Sequence, residues 1–123
     1  MLVYHTTEEQ IMTAADRTGV QVTELRENSV GIQFKLRAIP QMDGYRQYRK
    51  VNPITGHKGV GVCFHGWHEF LRNLWEVAPK ARVKTTKGFF NNYDEFYERL
   101  EEMDEELEAD GCKYHLSDAC RCA

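Results

Sequence analysis

The stretch VGIQFKLRA, residues 30–38, sets an apolar side chain at every second position: Val30, Ile32, Phe34, Leu36 and Ala38. Alternation sustained over nine residues marks a β-strand with one face against a core and the other in water. Upstream, Val20, Val22 and Leu25 show a looser alternation, and Glu27-Asn28-Ser29 supplies turn formers between the two runs. The pair reads as an antiparallel hairpin. Ahead of it, Thr7 and Gln10 have the spacing of a capping box, Ile11, Met12 and Ala15 give a short helix its apolar stripe, and Gly19 ends it.

Downstream, Pro40 and Asp43-Gly44 break the pattern, residues 45–51 resume an extended one, and Asn52-Pro53-Ile54-Thr55-Gly56 turns the chain into a strand over about 57–64. From Gly66 the period lengthens. Trp67, Phe70, Leu71, Leu74, Trp75 and Ala78 lie at helical spacing, a core stripe that Pro79 terminates. Residues 81–85 form a short basic strand. Asn92, with Glu95 three residues on, opens a helix that carries Tyr93, Phe96, Tyr97, Leu100, Met103 and Leu107 on one side and runs to Gly111. The sum is an α+β fold, a small antiparallel sheet of three to five strands with about three helices, in one domain over residues 1–123.

Composition agrees with that size. With 41% hydrophobic and 28% charged residues, a chain of 123 residues builds one modest core, for which a metal cross-link would be useful. The start, MLVYHTTEEQ, has neither the basic flank nor the apolar run of a secretory signal, and no stretch approaches the roughly 18 apolar residues of a membrane span. These features lead us to expect a soluble cytoplasmic protein with no membrane partner.

In a reducing compartment four cysteines point to metal or to buried thiols. Cys63 and His65, two apart at the expected end of a strand, would face one ion. Cys120 and Cys122 supply two thiolates that repel unless a cation holds them. Zinc takes such a three-cysteine, one-histidine set tetrahedrally, as a closed structural site with no open catalytic position. Zinc at Cys63, His65, Cys120 and Cys122 would thus staple the tail to the sheet. The competing reading makes Cys63 a small buried hydrophobe and Cys112, Cys120 and Cys122 tail thiols. His68 is a rival ligand better read as a surface or capping histidine, and Cys112 or His115 could replace a member of the set.

The run NPITGHKGVGVCFHGWHEFLRNLW, then ARVKTTKG, a Tyr-Asp-Glu-Phe-Tyr-Glu helix start and a terminal DACRCA resemble a group of small uncharacterised proteins of actinobacteria and their phages. Those carry an N-P-x-T-G turn, a C-W-H-G-H segment and a D-A-C-x-C ending, and the likeness covers about residues 50–123. Here Phe64 replaces the tryptophan and Trp67 the second histidine, which leaves the four-ligand set intact. The resemblance implies a phage or mobile-element origin and no particular activity.

Charge is segregated along the chain. Residues 1–30 hold two basic and five acidic side chains, residues 31–90 eleven and three, and residues 91–123 three and eleven. Two binding functions follow. The helix from Asn92 to Asp110, with ten acidic residues and one basic, suits a protein-interaction module, such as an inhibitor of a host factor, that pairs with a basic partner or mimics nucleic acid. The alternative is a nucleic-acid-binding module built on Arg46, Tyr48, Arg49 and Lys50, cations for phosphate interleaved with an aromatic plane for bases. A sequence pI near 5.9 stands against a strong polyanion binder. The acidic helix covering the basic sheet within one molecule would leave neither surface free. A metal-dependent hydrolase using His65 or His68 with Glu69 ranks last, because H-G-W-H-E lacks the i, i+4 histidine pair of helical zinc proteases. No catalytic signature is present elsewhere, and the expectation is a non-enzymatic protein.

Overall fold

A computed structural model describes residues 1–38, 64–85 and 87–99. In chain order they form β1 (Leu2–Tyr4), α1 (Glu8–Thr18), β2 (Val20–Glu27), β3 (Ile32–Ala38), α2 (Phe64–Val77), β4 (Arg82–Thr85), β5 (Gly88–Phe90) and α3 (Tyr93–Glu98). The sheet order is β2-β3-β1-β4-β5, with every neighbouring pair antiparallel. Because β1 and β2 both oppose β3, they run parallel with β3 between them, joined through α1. By the same logic β3 and β4 run parallel with β1 between them, joined through α2. Two interlocked β-α-β crossovers of this kind make the split β-α-β arrangement, here extended by the β5 hairpin strand. The expected α+β fold holds.

Local chemistry sets the element ends. Thr7 Oγ1 accepts from the Gln10 amide at 3.2 Å while Gln10 Oε1 accepts from the Thr7 amide at 3.0 Å, so the capping box read from sequence starts α1. Gly19 ends it at φ 82°, a left-handed conformation that a Cβ would penalise. In the β2–β3 connection, Asn28 Oδ1 accepts from the amides of Val30 and Gly31, both at 2.9 Å. That side-chain turn releases Val30 into solvent at 65% exposure, so the strand begins at Ile32 and not at Val30. Met12, expected in the stripe of α1, is likewise 48% exposed.

One core lies between the helices and one sheet face. Val3, Ile32, Phe34, Leu36, Val83 and Phe90 of the strands meet Ile11, Ala14 and Ala15 of α1, Trp67, Phe70, Leu71, Leu74 and Trp75 of α2, and Phe96 of α3. Each large side chain fully buried there contributes about 1.5–3 kcal/mol. Phe34 carries the sheet-to-helix contact, with its ring 5.6 Å from Phe70 and 6.2 Å from Trp67. At the rim, Gln10 Nε2 donates to the Val77 carbonyl and Asn73 Nδ2 to Thr18 Oγ1, which locks α1 to α2. Among the described residues all three helices therefore cover the same face of the sheet, and the other face carries no helix. None of these helices is long and apolar enough to cross a membrane.

Candidate functional site: the helix-free face of the sheet

Alternation that buries Ile32, Phe34 and Leu36 turns Gln33, Lys35 and Arg37 outward on β3, and it does the same for Leu2 and Tyr4 on β1 and for Arg82 and Lys84 on β4. On β5, Phe90 is buried and Phe89 is 42% exposed. Register then lines these residues up. Arg26 pairs with Gln33, Gln33 with Leu2, Leu2 with Lys84, and Lys84 with Phe89, so one row crosses all five strands. Beside it Tyr4 stands opposite Arg82. Lys35 opposes Thr23 and Arg37 opposes Gln21 at the other end of β3. The outward positions of β2, β3 and β4 thus collect Arg26, Lys35, Arg37, Arg82 and Lys84.

Two local features shape this face. At the β1 end, the Tyr4 and Phe89 rings lie 5.9 Å apart, and Arg82 Cζ sits 4.2 Å from the Phe89 centroid. Gly31 is required beneath this cluster, because a Cβ there would come within 2.7 Å of the Val3 carbonyl oxygen and 3.1 Å of the Tyr4 ring. At the β2 edge, the register shifts between Thr23 and Arg26, and Glu24 takes a left-handed φ of 53° in the bulge. Its carboxylate accepts a 2.9 Å bond from Lys35 Nζ. That bond and the charges of Lys35, Arg26 and Arg37 hold the Glu24 carboxyl below its ordinary pKa of 4.5. A concavity of about 190 Å³ opens there, lined by Met1, Glu24, Arg26, Gln33, Phe34 and Lys35.

The residues singled out from sequence fare differently. Arg46, Tyr48, Arg49 and Lys50 lie outside the described residues, as do Cys63, Cys112, His115, Cys120 and Cys122. His65 is within them, and its backbone corrects one expectation. Phe64 and His65 already belong to α2, so the chain is helical where the end of a strand was expected. The expected strand therefore does not reach Phe64, and Cys63, expected to pair with His65, lies outside the described residues. Among the described residues no three His, Cys, Asp or Glu side chains gather as a metal site.

His68 is neither a surface nor a capping residue. Its side chain is only 12% exposed, its Nε2 lies 2.9 Å from the Tyr93 hydroxyl, and its Nδ1 lies 3.4 Å from Glu69 Oε1. Its ring also packs on Phe96 at 6.0 Å. Glu69 in turn accepts from Arg72. These contacts join α2 to α3, and burial pushes the Tyr93 phenol above its ordinary pKa of 10.0.

The aromatic cluster was missed in the sequence because Tyr4 and Phe89 are 85 positions apart, on strands of three residues each. A period-two reading of Lys84 and Arg82 was the one available signal. Fold and face together define a class by architecture alone: a split β-α-β sheet, covered by helices on one side and carrying a basic, aromatic face on the other. No family model, no curated protein and no solved structure matches the chain.

Proposed function

We propose that this chain is a non-catalytic binding module whose working surface is the helix-free face of its sheet and whose ligand is a polyanion of the nucleic-acid class. The observation that carries the reading is the row Arg26, Gln33, Leu2, Lys84, Phe89 with Lys35, Arg37, Arg82 and Tyr4 beside it, five cations on the same sheet face as two aromatic rings. Cations on a common face raise the local potential even where the net charge is -3, because the field near a surface follows the nearest charges. The proposal keeps the nucleic-acid class suggested by Arg46 to Lys50 and rests it on the described strands. The test is binding of a labelled oligonucleotide at low and rising salt. Affinity should fall as salt rises and should weaken in the triple variant Arg26→Gln, Lys35→Gln, Lys84→Gln. No binding at low salt, or salt-independent binding, would sink the reading.

A second reading is supported by α3. Asp94, Tyr97 and Glu98 lie on one exposed side of it, with Tyr97 62% exposed, at the start of the acid-rich segment. On this reading the chain is a small zinc-stabilised inhibitor, of phage or mobile-element origin, that presents an acidic surface to a basic host protein. A partner identified by cross-linking should be lost on reversing Asp94 and Glu98 to Lys. Its retention would leave α3 without a role.

A further inference from the structure

Resting on the reading of this face as a polyanion surface, we propose that its preferred ligand is single-stranded nucleic acid, with one base stacking at the cluster of Phe89, Arg82 and Tyr4.

Cations alone do not distinguish single strands from duplexes, since both present phosphates. Aromatic planes do. In a duplex the base faces are already stacked on one another, whereas a single strand offers them to any exposed ring. Phe89 is the large apolar side chain left exposed on this side of the sheet among the described residues, at 42%, while its neighbour Phe90 is buried. Arg82 Cζ over the Phe89 ring brings a ring and a guanidinium, the two groups on which bases stack, to one spot. Tyr4, whose centroid is 5.9 Å from that of Phe89, widens the platform. Gly31 leaves the space in which the Tyr4 ring lies.

The spacing suits a strand laid across the sheet. Four inter-strand steps separate Arg26 from Phe89, about 19 Å in all, the length of about six stacked nucleotides. Arg26 and Lys84 lie along that path with neutral Gln33 and Leu2 between them, so two phosphate contacts are separated by two positions that carry no charge. At the β2 end, the concavity beside Arg26 and Lys35 could seat a phosphate, with Glu24 giving up Lys35 to it. An acidic protein or an anionic lipid surface would use the same cations but has no base to offer the Phe89 cluster.

Fluorescence anisotropy with dye-labelled oligo-dT and oligo-rU of about 12 nucleotides, a duplex of equal length and phosphatidylserine vesicles tests this on the full chain. Both single strands should bind more tightly than the duplex or the vesicles. Phe89→Ala and Phe89→Leu should each weaken single-strand binding roughly ten-fold and duplex binding far less, while Phe89→Trp retains single-strand binding. Arg26→Gln and Lys84→Gln should instead weaken both ligands and each reduce the single-strand salt slope by about 0.7. Duplex or vesicle binding as tight as single-strand binding would overturn the single-strand proposal and leave the polyanion reading standing. So would unchanged single-strand affinity in folded Phe89→Ala and Phe89→Leu. Absence of binding to every probe would remove both.

Discussion

The Trp75 indole nitrogen donates a buried hydrogen bond of 2.9 Å to the carbonyl oxygen of Ala81. Between them α2 ends, Pro79 prevents its continuation, and β4 begins one residue later at Arg82. The Ala81 amide donates to the Ala78 carbonyl at 3.0 Å, so both polar groups of Ala81 are paired across the turn. This turn fixes which face of the sheet Arg82 and Lys84 occupy, since a slip of one residue would exchange them with Val83 and Thr85.

Trp75→Phe should therefore destabilise by about 2–4 kcal/mol, because it orphans a buried carbonyl and removes part of an indole from the core. Urea unfolding followed by circular dichroism measures it. A loss below about 0.5 kcal/mol would mean that water replaces the indole donor.

Gly31→Ala forces a Cβ to within 2.7 Å of backbone oxygen, and backbone yields less readily than a side-chain tip. The expected cost is about 1–3 kcal/mol, with the Tyr4 ring displaced. Thermal unfolding reads the first. A chemical-shift change at Tyr4 and Phe89 reads the second.

Asn92 Oδ1 accepts from the Glu95 amide at 2.9 Å, and Glu95 Oε2 accepts from the Asn91 amide at 2.7 Å. Asn92→Ala should cost about 1 kcal/mol, with Asn92→Asp nearly neutral. Because Phe96 is fully buried against Phe90, hydrogen exchange should rise in α3 first.

Glu24 couples backbone and charge. Its pKa is depressed in the folded chain, so its pairing with Lys35 stabilises above the ordinary carboxylate value of 4.5 and is lost as pH falls through the depressed one. An NMR titration should place Glu24 below 4.5 in the wild type and nearer to it in Lys35→Met. At φ 53°, Glu24→Val should be the most disruptive of a substitution series and Glu24→Gly the least. The reverse order would show that the ion pair, and not the bulge, governs the position.

Zinc bound by Cys63, His65, Cys120 and Cys122 remains a proposal with a direct assay. Protein purified without added metal should carry about one equivalent of zinc, and Cys120→Ser should lower the melting temperature. Well under one equivalent together with an unchanged melting temperature would refute the staple.

The periodic segments were legible in the sequence for identifiable reasons. Residues 32–38 alternate because β3 lies between two strands with one face buried, and the apolar stripe of α2 from Trp67 to Ala78 repeats at helical spacing because one side of that helix is core. Caps at Thr7 and Asn92 and the stop at Gly19 are local chemistry and were visible as such. The strand β1 was not, although it lies at the centre of the sheet. Three residues are too few to show a period, and Leu2, Val3 and Tyr4 become a strand through pairing with β3 and β4. For the same reason β5 was invisible, and the start of α2 was placed two residues late because Phe64 and His65 precede the apolar stripe.

By itself, then, the sequence determined the fold class, the core face of α2 and the hairpin of β2 and β3, all of which leave a pattern within one short stretch of the chain. Only the tertiary structure decided that β1 sits in the middle, that all three helices cover one side, and that Tyr4, Arg26, Arg82, Lys84 and Phe89 share the other. That juxtaposition comes from antiparallel pairing across four strand boundaries. Each boundary fixes its register through hydrogen bonds and burial of the opposite face, and none of these leaves a mark at any single position of the chain.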